Sequence, residues 1–112
     1  MINEAKILLI IPAYNEGEGI AENIRKVEQY RASSPYNLDY VVINDGSTDN
    51  EEEVLRENNI NHVELIQNLG IGGAVQTGYM YADENGYDIA VQFDGDGQHD
   101  IESLPQLVDP II

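Results

Sequence analysis

Two aspartates separated by one residue are the clearest sign of chemistry in the sequence. Asp94 and Asp96 follow the run Ile-Ala-Val-Gln-Phe and alternate with Gly95 and Gly97. In an extended segment alternate side chains share a face, so both carboxylates can project the same way while the glycines leave room for a ligand. Carboxylate oxygens suit Mg²⁺ or Mn²⁺, whose remaining ligands often come from substrate phosphates. The pair therefore outlines a metal site that receives a diphosphate.

The same aspartates also permit a structural interpretation, because Asp and Gly are favoured in turns that follow strands. Taken alone, the motif supports a polar turn and a metal site about equally. A calcium-binding EF-hand loop is excluded, since His99 stands where Gly is required and Pro105 stands where Glu is required. His99 lies beside the carboxylates and is a candidate neighbour of the metal.

Composition predicts one compact acidic domain. The 112 residues are 42% hydrophobic and 23% charged, which is enough for a core but short for a complete enzyme of most α/β families. The formal net charge of −16 argues against a nucleic-acid partner, because such binding depends on basic residues. An anionic ligand would therefore need a metal. Without cysteine there are no disulfides, and the apolar run 7–11 is too short to span a bilayer, so we expect a cytoplasmic chain.

Strand-like and helix-like segments alternate along the chain. Predicted strands cover 6–11, where Pro12 ends the run, then 39–44, 63–66 and the segment before Asp94. Predicted helices cover 18–31, 74–84 and 101–108. Another helix is predicted to begin at a cap formed by Thr48 or Asp49, and the acidic run 51–53 is expected to be its solvated first turn. This alternation predicts an α/β fold with a parallel sheet.

Polar segments follow three of these strands directly. They are 12–16, 45–47 and 94–96, and in a parallel sheet ligands gather at the carboxyl ends of the strands. These segments should therefore line one rim. Asp45 could accept a hydrogen bond from the N–H of a base, although the residue is equally suited to form a turn or cap a helix. Tyr14 could lie against a flat ring and Glu16 could accept from ribose hydroxyls, although neither residue type needs a ligand in such a position.

A glycine cluster precedes the third helix. Gly70, Gly72 and Gly73 do not match a dinucleotide-binding fingerprint, because Val75 stands where the third Gly is needed, and the Gly-Lys-Ser/Thr of a P-loop is absent. A glycine-rich helix entry still lets a phosphate or sugar approach the backbone, and Asn68 is a candidate polar contact beside it.

Four segments, in order, resemble the motifs of the inverting family-2 nucleotide-sugar glycosyltransferases, which have the GT-A fold. They are Ile-Pro-Ala-Tyr-Asn-Glu at 11–16, Val-Ile-Asn-Asp-Gly-Ser-Thr-Asp at 42–49, Asn-Leu-Gly-Ile-Gly-Gly-Ala at 68–74 and Asp-Gly-Asp at 94–96. The Gly-Gln-His-Asp that follows is similar in particular to the polyprenyl-phosphate mannosyl- or glucosyltransferase branch. The resemblance covers nearly the whole chain.

The resemblance implies that residues 1–112 are the Rossmann-like donor-binding half of a GT-A fold, a parallel-sheet α/β sandwich. It implies a nucleoside-diphosphate sugar as donor, an acceptor such as polyprenyl phosphate or a glycan, and Mn²⁺ or Mg²⁺ held by Asp94 and Asp96. The residues implied to hold the donor nucleotide are Pro12, Ala13, Tyr14, Glu16, Asp45, Asn68, Gly73 and Asp94. The acceptor half and the catalytic base are expected beyond residue 112, so no catalytic residue is assigned. Asn44 departs from the family, in which many members carry Asp.

Two other functions fit parts of the pattern. A non-catalytic nucleotide-sugar-binding module would need only the donor half. A haloacid-dehalogenase-type phosphatase also places Asp-x-Asp after a parallel strand, but it usually has Thr or Val where Gln98 stands. A chain that ends with the donor-binding sheet should expose apolar surface, which favours a homodimer. The longer protein is expected to associate with a membrane.

Overall fold

Strands and helices alternate in the fold, as the sequence predicts. The computed structural model describes residues 5–93, 101 and 104–109. The strands are β1 (Lys6–Ala13), β2 (Asn37–Asn44), β3 (His62–Glu64) and β4 (Ile89–Gln92), and the helices are α1 (Ile20–Ser33), α2 (Glu51–Glu57), α3 (Gly70–Glu84) and α4 (Leu104–Val108). The sheet order is β3-β2-β1-β4, and each of these pairings is parallel. The predicted parallel α/β sandwich is confirmed.

β1 is an interior strand because it is apolar on both faces. The side chains from Ile7 to Ile11 are fully buried. Successive side chains point to opposite faces, so Leu9 packs among residues of α1, α2 and α4, whereas Leu8 and Ile10 pack among residues of α3. Burial of each such side chain stabilises the fold by about 1.5–3 kcal/mol. Helices thus cover both faces of the sheet and leave the loops at its edges.

Small residues allow α3 to lie close against β1. Ala74, Gly78 and Ala82 are its buried residues. A Cβ atom at Gly78 would lie 2.3 Å from Cγ2 of Ile10, so only glycine fits this position without a shift. The close approach fixes the start of α3, and the loop before it, relative to the end of β1.

Several predicted boundaries were wrong by a few residues. β1 continues through Pro12 to Ala13. Proline is tolerated there because its missing N–H would point towards β4, and β4 has already ended at Gln92, so no hydrogen bond between the strands is lost. β3 ends at Glu64 rather than Ile66, and Ile66 is fully exposed. The other shifted limits are the starts of β2 at Asn37 and of β3 at His62, the start of α1 at Ile20 and its end at Ser33, the start of α3 at Gly70, and the start of α4 at Leu104.

The acidic start of α2 differs from the prediction. Glu52 and Glu53 are exposed, as expected for a solvated helix start, but Glu51 is fully buried. Its carboxylate is turned inward because it accepts a hydrogen bond from the backbone N–H of Glu16 at 2.9 Å. The N-cap residue is Asn50, and the Asp49 carboxylate accepts from the N–H of Glu51 at 2.9 Å. Of the helices in the described part of the chain, none is long and apolar enough to cross a membrane.

Candidate functional site

Three loops meet at the carboxyl-terminal edge of the sheet. We call them loop 1 (residues 14–19), loop 2 (residues 45–50) and loop 3 (residues 65–69), and they follow β1, β2 and β3. The described residues predicted to hold a nucleotide all lie at this edge. Pro12 and Ala13 end β1, Tyr14 and Glu16 lie in loop 1, Asp45 begins loop 2, Asn68 lies in loop 3 and Gly73 is in the first turn of α3.

Asn15 joins loop 1 to loop 2. Its backbone N–H donates to Oγ of Ser47 at 2.9 Å, and its Oδ1 accepts from the backbone N–H groups of Thr48 at 2.7 Å and Asp49 at 3.2 Å. Asn15 has a φ of 53°, a left-handed conformation that Asn tolerates better than most residues. One side chain therefore satisfies two donors of loop 2 while its own backbone is held in return.

The next two residues of loop 1 are held through their backbone as well. The N–H of Glu16 donates to Oε1 of Glu51 at 2.9 Å, and the N–H of Gly17 donates to Oδ2 of Asp49 at 3.0 Å. A Cβ atom at Gly17 would lie 2.9 Å from the backbone nitrogen of Glu51, so loop 1 is in direct backbone contact with the start of α2 there. Tyr14, just before this junction, remains 46% exposed and can offer its ring to a ligand.

Asp45 connects loop 2 to the end of β1 and to loop 3. Its backbone N–H donates to the carbonyl of Ala13 at 2.9 Å, and its Oδ1 accepts from the backbone N–H of Leu69 at 2.7 Å. Its carbonyl accepts from Nδ2 of Asn68 at 3.2 Å. Asp45 is only 4% exposed, and its Oδ1 holds loop 3 in place through the N–H of Leu69. A carboxylate has about four acceptor positions, which leaves capacity for a donor on a ligand.

Loop 2 and loop 3 also touch through their backbones. Gly46 has a φ of +68°, and a Cβ atom there would lie 2.4 Å from the backbone nitrogen of Asn68, so this position requires glycine on both counts. Oδ1 of Asn68 accepts from the N–H of Gly70 at 3.0 Å. Both ends of the Asn68 amide are therefore used within the protein, and Asn68 positions the entry to α3. Gly73 is half-buried beside Leu69, whose Cβ would lie 2.5 Å from an added Cβ.

Asn44 has a structural role that accounts for its departure from the family pattern. It is buried, its Oδ1 accepts from the Ser47 hydroxyl at 2.5 Å, and its Nδ2 donates to Oε2 of Glu64 at 2.7 Å. An ionised Asp could not donate to Glu64 and would place two carboxylates in contact. Oε1 of Glu64 also lies 3.2 Å from Nε2 of His62.

None of the basic residues belongs to the three loops. The chain has five Lys and Arg residues, and all of them are in the described part. Lys6 begins β1 at the opposite edge, and its Nζ lies 4.8 Å from the ring centroid of Tyr87. The others are Arg25, Lys26 and Arg31 in α1 and Arg56 in the last turn of α2. An anionic ligand at this edge would therefore have no lysine or arginine of the loops to neutralise it.

The predicted metal ligands Asp94 and Asp96, together with His99, lie outside the described residues. The strand that leads to them ends beside β1, because the N–H of Phe93 donates to the carbonyl of Ile10 at 2.8 Å. Within residues 5–93, 101 and 104–109 no group of three or more His, Cys, Asp or Glu side chains could hold a metal ion. The metal site thus stays a prediction that rests on the Asp-Gly-Asp motif.

Sequence analysis missed the residues that join the loops. Asn15, Ser47 and Glu51 were given no binding or positioning role, and Asp49 was expected only to cap a helix, yet these four residues join loop 1 to loop 2 and α2. Asn and Asp at loop positions are a general signal for side-chain to backbone bonds. That signal does not say which backbone they will meet, since the partners lie 32 to 35 residues away in the sequence.

Comparisons with known proteins agree with this arrangement. Residues 8–112 match the model of glycosyl transferase family 2. A UDP-N-acetylglucosamine–dolichyl-phosphate N-acetylglucosaminyltransferase of Methanococcus voltae is 36% identical across 95% of this chain and 47% of its own length. An undecaprenyl-phosphate mannosyltransferase of Micrococcus luteus is 29% identical across 95% of this chain and 44% of its own. The chain thus spans less than half the length of these curated relatives.

Solved structures show the same fold. Glucosyl-3-phosphoglycerate synthase of Mycobacterium tuberculosis, solved with Mn²⁺, UDP and glucosyl-3-phosphoglycerate, superposes with a TM-score of 0.74 at 23% identity and covers 98% of this chain and 42% of that one. A mannosyltransferase of Pyrobaculum calidifontis, solved with GDP-Man and Mn²⁺, has a TM-score of 0.69 at 24% identity over 81% of this chain and 27% of that one. These neighbours are glycosyltransferases with the expected GT-A fold, and the family model extends over nearly the whole chain. The chain therefore belongs to glycosyl transferase family 2.

Proposed function

We propose that this chain binds the nucleoside-diphosphate sugar donor of a glycosyltransferase. The observation that carries the proposal is that Asp45 of loop 2 bonds both the end of β1 and loop 3, and that the exposed Tyr14 directly follows the end of β1. In this proposal Asp45 accepts a hydrogen bond from the base with the oxygen that Leu69 does not use. Pro12, Ala13, Tyr14 and Glu16 form the nucleoside side of the site, and Gly73 lets the donor approach the start of α3.

A divalent cation completes the proposed site. The diphosphate is anionic and the three loops contain no lysine or arginine, so Mn²⁺ or Mg²⁺ would supply the neutralising charge. Asp94 and Asp96 are the residues proposed to hold it, with Asp94 also facing the donor. The solved neighbours that contain Mn²⁺ with GDP-Man or UDP support this choice.

In a complete glycosyltransferase of this family we expect inverting transfer of the sugar to an acceptor hydroxyl or phosphate. The relatives named for dolichyl and undecaprenyl phosphate favour a polyprenyl phosphate as acceptor, and therefore action at the cytoplasmic face of a membrane. This chain would bind and orient the donor, while the acceptor and the general base would be supplied by further residues. The electrostatic part of catalysis, stabilisation of the departing diphosphate, would belong to the metal site.

Calorimetric titration with a panel of nucleotide sugars in Mn²⁺ tests the proposal. Asp45→Asn is the sharpest variant, because an amide oxygen can still accept from the N–H of Leu69 while the other atom becomes a donor. We expect it to weaken nucleoside binding by about 1–3 kcal/mol, the cost of leaving a buried polar group unpaired. Asp83→Asn on the exposed side of α3 is the matched control. Unchanged affinity in folded Asp45→Asn would assign Asp45 to loop structure alone.

Two alternatives are separated by activity. A non-catalytic nucleotide-sugar-binding module would bind the donor in the same titration, but the longer protein would transfer no sugar to any polyprenyl phosphate or glycan. A haloacid-dehalogenase-type phosphatase would release phosphate from simple phosphate esters with Mg²⁺. The family match over residues 8–112 favours the transferase over both.

A further inference from the structure

Glu51 combines full burial with an incomplete set of hydrogen bonds. The side chain is 0% exposed. Oε1 accepts from the N–H of Glu16 at 2.9 Å, but Oε2 has no hydrogen-bond partner in the described part of the chain. A buried polar atom left without a partner destabilises a protein, and a buried charge does so more strongly. Stability alone therefore does not explain a glutamate at this position.

The surroundings of Glu51 oppose its charge. Burial raises the pKa of the Glu51 carboxyl above its ordinary value, and the nearby carboxylates of Asp49 and Glu64 raise it further. The N–H of Glu16 acts in the opposite direction, because it bonds the ionised form. What the glutamate supplies is thus an acceptor for loop 1.

The contact with loop 1 is at the centre of the proposed nucleoside site. Glu16 lies between Asn15, which is held by loop 2, and Gly17, which is held by Asp49. The N–H groups of Asn15, Glu16 and Gly17 are three consecutive backbone donors, and all three donate to side chains of loop 2 and α2. Tyr14 directly precedes them. If the Glu51 acceptor were removed, the N–H of Glu16 would need water or another hydrogen-bond acceptor.

We propose that Glu51 is a positioning residue for the donor, which holds the backbone of loop 1 so that Tyr14 and Glu16 meet the nucleoside. This inference rests on the proposed function and extends it to a residue that touches no ligand. Glu51 acts through the Glu16 backbone, and its own side chain stays inside the protein.

Two substitutions separate positioning from stability. Glu51→Met keeps an unbranched side chain of similar length but removes the acceptor, and replacing a partly satisfied buried carboxyl with an apolar group is often neutral or stabilising. Glu51→Gln keeps an acceptor oxygen for the N–H of Glu16. Glu53→Gln changes an exposed neighbour in the same helix turn and is the matched control.

The measurements are titration with UDP and with GDP in Mn²⁺ and amide hydrogen exchange at Glu16 by NMR. We expect Glu51→Met to remain folded, to exchange the Glu16 amide faster and to bind the nucleotide about tenfold more weakly, a change equal to about 1.4 kcal/mol. Glu51→Gln should stay within about twofold of the wild type, since one hydrogen bond is retained.

Unchanged nucleotide affinity or unchanged Glu16 exchange in Glu51→Met would overturn the positioning role. If the wild-type protein bound neither nucleotide, the proposed function would fail. The exchange rates would then still decide by themselves whether Glu51 holds loop 1.

Discussion

Replacing Gly78 by alanine tests how closely α3 lies against the sheet. Carbon atoms in contact are normally about 3.5–4.0 Å apart. The added Cβ would lie 2.3 Å from Cγ2 of Ile10, 2.9 Å from Cγ1 and 3.0 Å from Cδ1, and Ile10 is fully buried in β1. Neither the strand nor the isoleucine can retreat into solvent, so α3 itself must shift.

The expected magnitude follows from two opposing effects. Overpacking of a core costs about 1–3 kcal/mol, and three close contacts place this site near the upper end of the range. Alanine in a helix is favoured over glycine by about 1 kcal/mol. We therefore expect Gly78→Ala to lower the free energy of unfolding by about 1–2 kcal/mol.

Gly72→Ala is the matched control in the same helix. Apart from the adjoining backbone of α3, no atom of the described residues lies within 4 Å of a Cβ built at Gly72, so only the helix preference remains and stability should rise slightly. Urea unfolding followed by circular dichroism measures both variants. Ile10→Val removes the Cδ1 contact, so it should recover part of the loss in the Gly78→Ala background. If Gly78→Ala were as stable as Gly72→Ala, the direct packing of α3 on β1 would be refuted.

Four further predictions concern charge and association. A nucleoside diphosphate should bind weakly in excess EDTA and more tightly in Mn²⁺, because the loops supply no cation, and equal affinity by calorimetry would contradict the metal site. Asn44→Asp should destabilise the fold by about 1–3 kcal/mol because its carboxylate meets Glu64, and Glu64→Gln should restore stability in urea unfolding. Burial raises the pKa of Glu51 above its ordinary value of 4.5, so the folded wild type keeps the proton to a higher pH than the unfolded chain does. The free energy of unfolding should therefore fall as the pH rises above 4.5, by at most about 1.4 kcal/mol per pH unit. Urea unfolding across pH measures this fall, and Glu51→Gln should lack it. Self-association, expected to involve Ile111 and Ile112 outside the described residues, should increase with salt because screening weakens repulsion between chains of net charge −16, and sedimentation at low and high salt measures it.

The sequence predicts the sheet well because strand position depends on apolar composition. The run from Ile7 to Ile11 leaves no polar face, which is typical of an interior parallel strand, and polar segments directly follow three of the four predicted strands. The convergence of those residues at one edge then follows from parallel pairing alone. Asp45 could be found in this way, since its place depends on the end of β2.

Contacts between distant side chains were not predictable. Gly70, Gly72 and Gly73 predict a loop by intrinsic preference, yet they are helical, because Asp45 and Asn68 hold the helix entry and Ala74 and Gly78 pack on the sheet. Glu51 has the same local sequence signal as its exposed neighbours. Only the approach of loop 1, set by the tertiary fold, turns one of three consecutive glutamates inward.

The hydrogen bonds that hold loop 1 distinguish positions that tolerate substitution from positions that do not. Loop 1 contributes backbone N–H groups at residues 15, 16 and 17, whereas loop 2 and α2 contribute the accepting side chains of Ser47, Asp49 and Glu51. A backbone N–H persists when the side chain of its residue changes. Residue 16 can therefore be varied to alter selectivity for the nucleotide sugar without losing the hydrogen bond from its N–H to Glu51. A directed library for a new donor should therefore randomise positions 14 and 16 and keep positions 47, 49 and 51 constant.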